Sequence, residues 1–325
     1  MYFVNHTIFM KNYLVRLYQK DDFEIWNSFI SEAKNATFLF HRNFMEYHSD
    51  RFIDFSMMVF EQDKLVAVMP ANKVDNEVFS HQGLTYGGLV LGRKTKVYEN
   101  ELIFENIIIF LKQNKISALN FKQIPSFYFE KNGSEIDYFL IKNGAKLVKK
   151  ELNLAIDYSK KSELSKSKLK PYKNHDASKF DFIEENEFIS FWKEVLVPTL
   201  SEKYETKPVH SIAEINLLKS KFPDKIKQFS VFYDQKIVAG ITIFDTGKVV
   251  KSQYGAANSL GKSVRALDFL FIFLIDKFKK EGKLFFDMGT VSKDNENSYN
   301  AGLLNQKEEL GCSVYNQDFY CLNIV

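Results

Sequence analysis

The sequence is poor in the residues that staple or punctuate a chain. Two cysteines, Cys312 and Cys321, are too few for a disulfide scaffold or a zinc site, and no His/Cys/Asp/Glu group has metal-ligand spacing. No metal is therefore expected. Only 6 prolines and 14 glycines stand beside abundant Phe, Ile, Lys and Asn. That bias reads as AT-rich codon usage and carries no function. The most apolar helical stretches, Ile107–Leu111 and Phe269–Ile275, fall far short of the ~20 residues that cross a bilayer. The first residues lack the basic start, apolar core and cleavage site of a signal peptide, so a cytoplasmic, reducing location is expected. Charge of one sign is scarce too: 44 basic against 41 acidic side chains give +3, which does not call for nucleic acid. No Gly-x-Ser-x-Gly or similar nucleophile context occurs, so covalent catalysis is not expected.

What is present is a globular composition, 45% hydrophobic and 26% charged, over 325 residues, enough for two domains with their own cores. The chain also carries one element twice. Val59–Gly83 aligns without a gap on Val231–Gly255, with eight of 25 pairs identical. After a four-residue slip, Phe110–Ile116 meets Phe278–Leu284. Each copy reads strand, strand, Ser-x-x-Gly turn, apolar helix, strand.

Periodicity places strands at Tyr13–Leu17, Phe55–Glu61, Lys64–Asn72, Glu77–His81, Ile116–Lys122 and Leu147–Asp157, with helices over Asp21–Ala33, His41–His48 and Tyr98–Lys115. In the second half, strands are expected at Lys227–Tyr233, Lys236–Asp245, Val249–Ala256, Leu284–Met288 and from Cys312. The helices there are Glu187–Leu200, Ser211–Lys221, Val264–Lys280 and Ala301–Leu310. An antiparallel meander in each half argues for a mixed, largely antiparallel α+β fold and against a Rossmann sheet. Residues 159–179 hold seven lysines in polar surroundings and read as a linker between domains at 1–158 and 180–325, or as a phosphate-binding basic arm.

Chemistry is expected at strand ends. Gly255–Ser263 resembles a P-loop but has five residues between its glycines where four are needed, and no acidic Walker-B strand accompanies it. A helix start near Ser263 with Lys262 and Arg265 would nevertheless suit a pyrophosphate; it also reads as an ordinary serine-capped helix. In the first copy, Ser80–Gly88 is glycine-dense and offers His81 and Tyr86, which suggests a pocket for a second substrate. Asp287 ends a buried strand, either to orient or deprotonate an amine or to cap a turn, and His210 opens a helix.

These residues together resemble tandem GNAT-fold acyltransferases of the FemAB-like group. The resemblance rests on the doubled succession of elements, on Ser80-His-Gln-Gly-Leu-Thr-Tyr-Gly-Gly88, Lys207-Pro-Val-His210, Asp287-x-Gly289, and Asn300-x-Gly-Leu-x-x-x-Lys-x-x-Leu-Gly311. It implies a tandem duplication of a GNAT-like sheet flanked by helices. It also implies transfer from acyl-coenzyme A to the amine of a nucleotide-linked, dTDP-type amino-dideoxy sugar, in a monomer or homodimer. The resemblance sets the pyrophosphate grip on Asn258, Ser259, Gly261, Lys262, Ser263 and Arg265, although the second glycine of the family's turn is missing here. It sets substrate binding on Gly83, Thr85, Tyr86, His210, Asn300 and Lys307, and proton transfer on His81 and Asp287. Two alternatives stand beside it: an aminoacyl-tRNA-dependent peptidyltransferase of the cell wall, and a non-catalytic glycan- or nucleotide-binding protein.

Overall fold

The computed structural model describes residues 12–131, 134–161, 163–204, 206–292 and 298–324. Its contacts divide the chain into two units. One runs to Lys149 and takes in the chain again from Asp318; the other is Lys150–Gln317.

In the first unit, β1 (Tyr13–Leu17) leads through a 3-10 turn into α1 (Phe23–Glu32) and α2 (Arg42–Met45). The carboxylate of Asp22 accepts from the Gln19 amide and pairs with Arg16, which anchors the start of α1. Strands β2 (Ile53–Asp54), β3 (Met57–Glu61), β4 (Lys64–Met69), β5 (Asn72–Val74), β6 (Glu77–Phe79) and β7 (Val90–Leu91) follow. Then come α3 (Val97–Gln113), β8 (Ala118–Lys122), α4 (Glu135–Lys142) and the start of β9 (Lys146–Asp157). One sheet has the order β1-β3-β4-β7, all antiparallel. In a second sheet β8 pairs parallel with β6 and antiparallel with residues 319–323 of the last strand. The apolar stripe of α3 supplies Ile103, Phe104, Ile107 and Leu111, all fully buried in a core with Met57, Val59 and Leu119. Spacing of this kind is what folds the segment as a helix against a sheet.

The second unit adds α5 (Lys166–Lys173), β10 (Phe180–Glu185), α6 (Ile189–Phe191), a π-helical turn at Trp192–Leu196, α7 (Val197–Tyr204) and α8 (Ile212–Lys221). Its meander is β11 (Ile226–Tyr233), β12 (Lys236–Asp245) and β13 (Val249–Ala257). Next are α9 (Ser259–Ser263), α10 (Ala266–Lys280), β14 (Phe285–Thr290), α11 (Ala301–Glu309) and β15 (Ser313–Asn323). The strands run β10-β11-β12-β13-β14-β9, antiparallel except for β13 and β14. Leu270, Leu274 and Phe278, spaced by four along α10, are fully buried against Val238, Ile241 and Phe286.

The duplicated element is real at the level of hydrogen-bond register. Val59 faces Ala67 and Val231 faces Ala239, and in each pair the register slips immediately afterwards, at Phe60 and at Phe232. A bulge kept at one repeat position bends both hairpins alike. The architecture is α+β, with largely antiparallel sheets flanked by helices in both units.

Some elements differ from expectation. Residues 159–179 fold into the second unit: Lys168 seats on Asp268, and Tyr172 packs edge-on against Phe269 at 5.6 Å. Burial of Leu164 and Tyr172 on the core outweighs the polar composition of the segment. Strand β13 runs on through Gly255 to Ala257, so the turn begins only at Asn258. The expected helix from Val264 is broken by Arg265, whose left-handed backbone (φ 62°) separates α9 from α10.

Candidate active site

The parallel strands β13 and β14 pair over three residues only, Val249↔Phe285, Val250↔Phe286 and Lys251↔Asp287. Beyond that point they part. The gap opens into a cleft of about 710 Å³ lined by Ser252, Gln253 and Gly255–Ala257 of β13, by Met288, by Gly261, Lys262 and Arg265, and by Asn300, Gln306 and Lys307 around α11. A cavity of this size suits a ligand larger than a metabolite fragment.

Its floor is charged and crowded with hydrogen bonds. Asp287, 1% exposed, takes Lys251 Nζ at 3.0 Å, Asn153 Nδ2 at 2.9 Å and the Gly289 amide at 2.7 Å. Gly289 adopts a left-handed conformation (φ 78°) that brings this amide round. Lys307 Nζ donates to the carbonyls of Gly289 and Thr290 at 2.9 and 3.1 Å. Burial, with the nearby charge of Lys251, pushes Lys307 down to about 8. The result is a buried ammonium facing the cleft and poised to lose its proton just above neutrality.

The turn after β13 is built by Asn258. Its Oδ1 accepts from the Gly261 amide at 2.9 Å, its Nδ2 donates to the Ile237 carbonyl, and its own amide donates to the Val238 carbonyl. Gly261 lies so near β12 that a Cβ would stand 2.2 Å from the Val238 oxygen. Asn258 therefore fills one of the amides that a phosphate would use, while the amides of Ser259 and Leu260 have no acceptor within so early a helical turn. Lys262 and Arg265 add positive charge at the cleft. Arg265 also shares Asp268 with Lys168 and Gln306. Burial by itself raises the pKa of Asp268, but these donors outweigh it and hold the carboxylate below its ordinary range.

The first unit has its own cavity, about 310 Å³, where β6 leaves β8: Ser80, His81, Gln82, Asn120, Lys122 and Phe319 are among its walls. His81 is buried with φ 62°, packs on Phe52 and His48 at 5.3 and 5.2 Å, and accepts from the Gly83 amide at Nδ1. Burial, then the neighbouring His48, pushes it down to about 3.

The expected site residues thus separate. Gly261, Lys262, Arg265, Asn300 and Lys307 line one cleft, with Asp287 beneath it. Asn258 shapes the turn and lines a neighbouring groove, and Ser259 and Ser263 lie on the exposed outer side of α9. His81 belongs to the cavity of the first unit. Gly83, where a Cβ would strike His48 and Phe52, is packed tightly beside it. Tyr86 is a core residue: 1% exposed, it donates to Thr37 Oγ1 and packs on Tyr128. Thr85 precedes it, half-buried. His210 is buried 2.5 Å from Tyr254 Oη rather than lining the cleft. Sequence reasoning missed Gln253, Lys251 and the Lys168–Asp268 pair. The first was within reach, since the repeat alignment sets Gln253 on His81.

No family model matches the sequence, and no curated protein matches it either. Solved structures do. FemX superposes with a TM-score of 0.66 over 95% of this chain and 97% of its own, at 11% identity. L-PGS from Bacillus licheniformis gives 0.60 over 93% and 91%, at 15% identity. A tandem GNAT protein from the clavulanic acid biosynthesis pathway gives 0.52 over 97% and 98%, at 8% identity. Among the described residues no helix is long and apolar enough to cross a membrane, and no group of three or more metal-ligating side chains occurs. At such low identities the likeness establishes architecture, and the chain has the FemAB-like, tandem GNAT fold.

Proposed function

We propose that this protein is a cytoplasmic N-acyltransferase that moves an acyl group from acyl-coenzyme A to the amine of a nucleotide-linked, dTDP-type amino-dideoxy sugar for surface-polysaccharide assembly. One observation carries the reading: the cleft opened by the parting of β13 from β14 ends at a helix-start turn bearing Lys262 and Arg265. An extended acyl thioester would lie along the parted strand edge with its phosphates at that turn. The neutral amine attacks the thioester carbonyl, the C–N bond forms, and the C–S bond breaks to release the thiolate, which takes up a proton from solvent. Charge collecting on the carbonyl oxygen is met by a backbone N–H of the parted strand and by the Lys307 ammonium.

Asp287 and His81 have other work in this reading. A carboxylate engaged by three donors is a poor proton acceptor, and so is an imidazole whose conjugate acid has a pKa of about 3. Asp287 positions β14, His81 shapes the pocket of the first unit, and the amine loses its proton to solvent.

A second reading has its own support. Lys166, Lys170 and Lys173 form an exposed i, i+4, i+7 stripe on α5, whose Lys168 holds the cleft residue Asp268. A stripe of that kind favours a polyanionic donor such as aminoacyl-tRNA.

Incubation with several acyl-CoAs and nucleotide amino sugars, followed by mass spectrometry, tests the first reading; an N-acylated sugar nucleotide is expected. A thermal-shift panel separates the two, since a ligand at 100 times its dissociation constant adds about 2.7 kcal/mol. Stabilisation by tRNA but not by CoA would overturn the acyl-CoA reading. Silence toward every ligand would favour a non-catalytic role.

A further inference from the structure

Gln253 sits where β13 is irregular. The ladder pairs Thr242 with Tyr254 and Ile243 with Ser252, which leaves Gln253 as the extra residue of a bulge. Bulges re-aim the side chains they carry. Gln253 lines the cleft of the second unit, and its Oε1 is buried there with no hydrogen-bond donor among the described residues.

The other end of the same carboxamide is committed. The Gln253 side chain hydrogen-bonds to the Tyr254 hydroxyl, and that hydroxyl lies 2.5 Å from His210 Nδ1. Burial pushes the Tyr254 phenol up to about 12, so the hydroxyl keeps its proton and stays a neutral partner of His210. Gln253 draws the phenol's pKa down against burial, as a donor to its oxygen does. The Gln253 amide nitrogen therefore faces Tyr254, and Oε1 is turned away from it. Trp192, edge-on to Tyr254 at 5.1 Å, packs the ring in place.

The repeat supports the same reading independently. Gln253 aligns on His81, which also leaves its ladder, with a left-handed backbone, and also lines the cavity of its own unit. In both units this position is the one turned out of the sheet toward a cavity.

We infer that Gln253, oriented through Tyr254 by His210, is the positioning residue that accepts a hydrogen bond from an N–H group of the ligand in this cleft. His210 then acts at one remove from the ligand. Identification of that N–H rests on the proposed transferase reading, under which two groups qualify: the attacking amine of the acceptor, and an amide of the pantetheine arm of acyl-CoA.

Titration calorimetry of the wild type and of Gln253→Leu, with acetyl-CoA and separately with a dTDP-linked amino sugar, tests the inference. An apolar side chain in place of the acceptor should weaken one ligand about 10-fold or more and leave the other unchanged. Loss confined to the sugar assigns the amine; loss confined to acetyl-CoA assigns the pantetheine amide. Gln253→Glu keeps the acceptor and should bind that ligand more tightly than Gln253→Leu does, and it serves where the leucine variant fails to fold. Unchanged affinity for both ligands, or equal weakening of both with a lowered Tm, overturns the inference. A wild-type protein that binds both ligands but transfers no acyl group overturns the transferase reading alone, because the role of Gln253 is still judged on affinity. Binding of neither ligand overturns both.

Discussion

Lys251 Nζ lies 3.0 Å from Asp287 Oδ2, and the same two residues form the last paired rung of the parallel β13–β14 ladder. Beyond them the strands part and the cleft begins. The ion pair therefore closes the sheet at the point where the cleft begins. Both side chains are buried, so removing one partner leaves a charge without compensation. Asp287→Ala should cost about 3–5 kcal/mol of stability, and Lys251→Met/Asp287→Ala together should cost less than the two single changes summed. Urea unfolding of the three variants measures this. A stable Asp287→Ala protein that has lost turnover would instead make Asp287 the base.

His81 predicts an acid-sensitive fold. Its pKa is about 3 in the folded protein against about 6.5 when unfolded, so the unfolded state binds the extra proton between those values. Stability contributed by this group is complete above about pH 6.5 and falls as the pH drops toward 3. The loss should be about 2 kcal/mol between pH 7 and pH 5. His81→Asn, which tolerates a φ of 62°, should flatten that limb in denaturant melts at the two pH values. An identical slope in the variant would remove His81 as its origin.

Two glycines of the second-unit cleft should respond oppositely to alanine. A Cβ on Gly261 would stand 2.2 Å from the Val238 carbonyl, so Gly261→Ala must push α9 off β12. A cost of about 1–3 kcal/mol is expected, together with weaker CoA binding. Among the described residues, a Cβ on Gly302, within α11, would meet only the Asn300 side chain, at 3.5 Å, and Gly302→Ala should be neutral or stabilising by up to about 1 kcal/mol. Thermal melts and CoA titration of the pair give the comparison; equal effects would contradict it.

Lys307 should leave a signature in the rate. Its ammonium has a pKa of about 8, so charge at the cleft is present below that value and is lost as the pH rises through it. Transfer should decline on the alkaline side with that midpoint, and Lys307→Met should abolish the decline while lowering kcat about 100-fold. A pH–rate profile of both proteins decides the matter. Retention of the alkaline decline in the variant would assign it to another group.

Much of the fold was legible from local pattern. The continuous β-branched apolar run of Lys236–Asp245 and the four-residue spacing of Leu270, Leu274 and Phe278 identify a strand and a helix. The repeat was visible because hairpin packing constrains the same positions twice, Val59 and Ala67 in one copy, Val231 and Ala239 in the other. Strand β10 was missed because Phe180 and Phe182 alternate over only six residues, directly after a lysine-rich stretch. Helix α4 was missed as well because it is only eight residues long, although Ser134 with Asp137 three residues on is a start signal. Arg265 was read as a pyrophosphate ligand, but nothing local announces that it adopts a left-handed conformation and breaks the helix there.

By itself, then, the sequence determined the α+β class and the duplication, because periodicity and repeated spacing are local properties of the chain, while it set the start of the second-unit turn three residues too early. Only the tertiary structure decided which of the candidate residues share a site. It buried Tyr86, engaged Asp287 with Lys251 and Asn153, set His210 behind Tyr254, and brought Gln253 and Lys307 to one cleft. The physical reason is that burial and hydrogen-bond partners come from residues far away in sequence: Asn153 and Asp287 meet across the sheet, and no local pattern records that meeting.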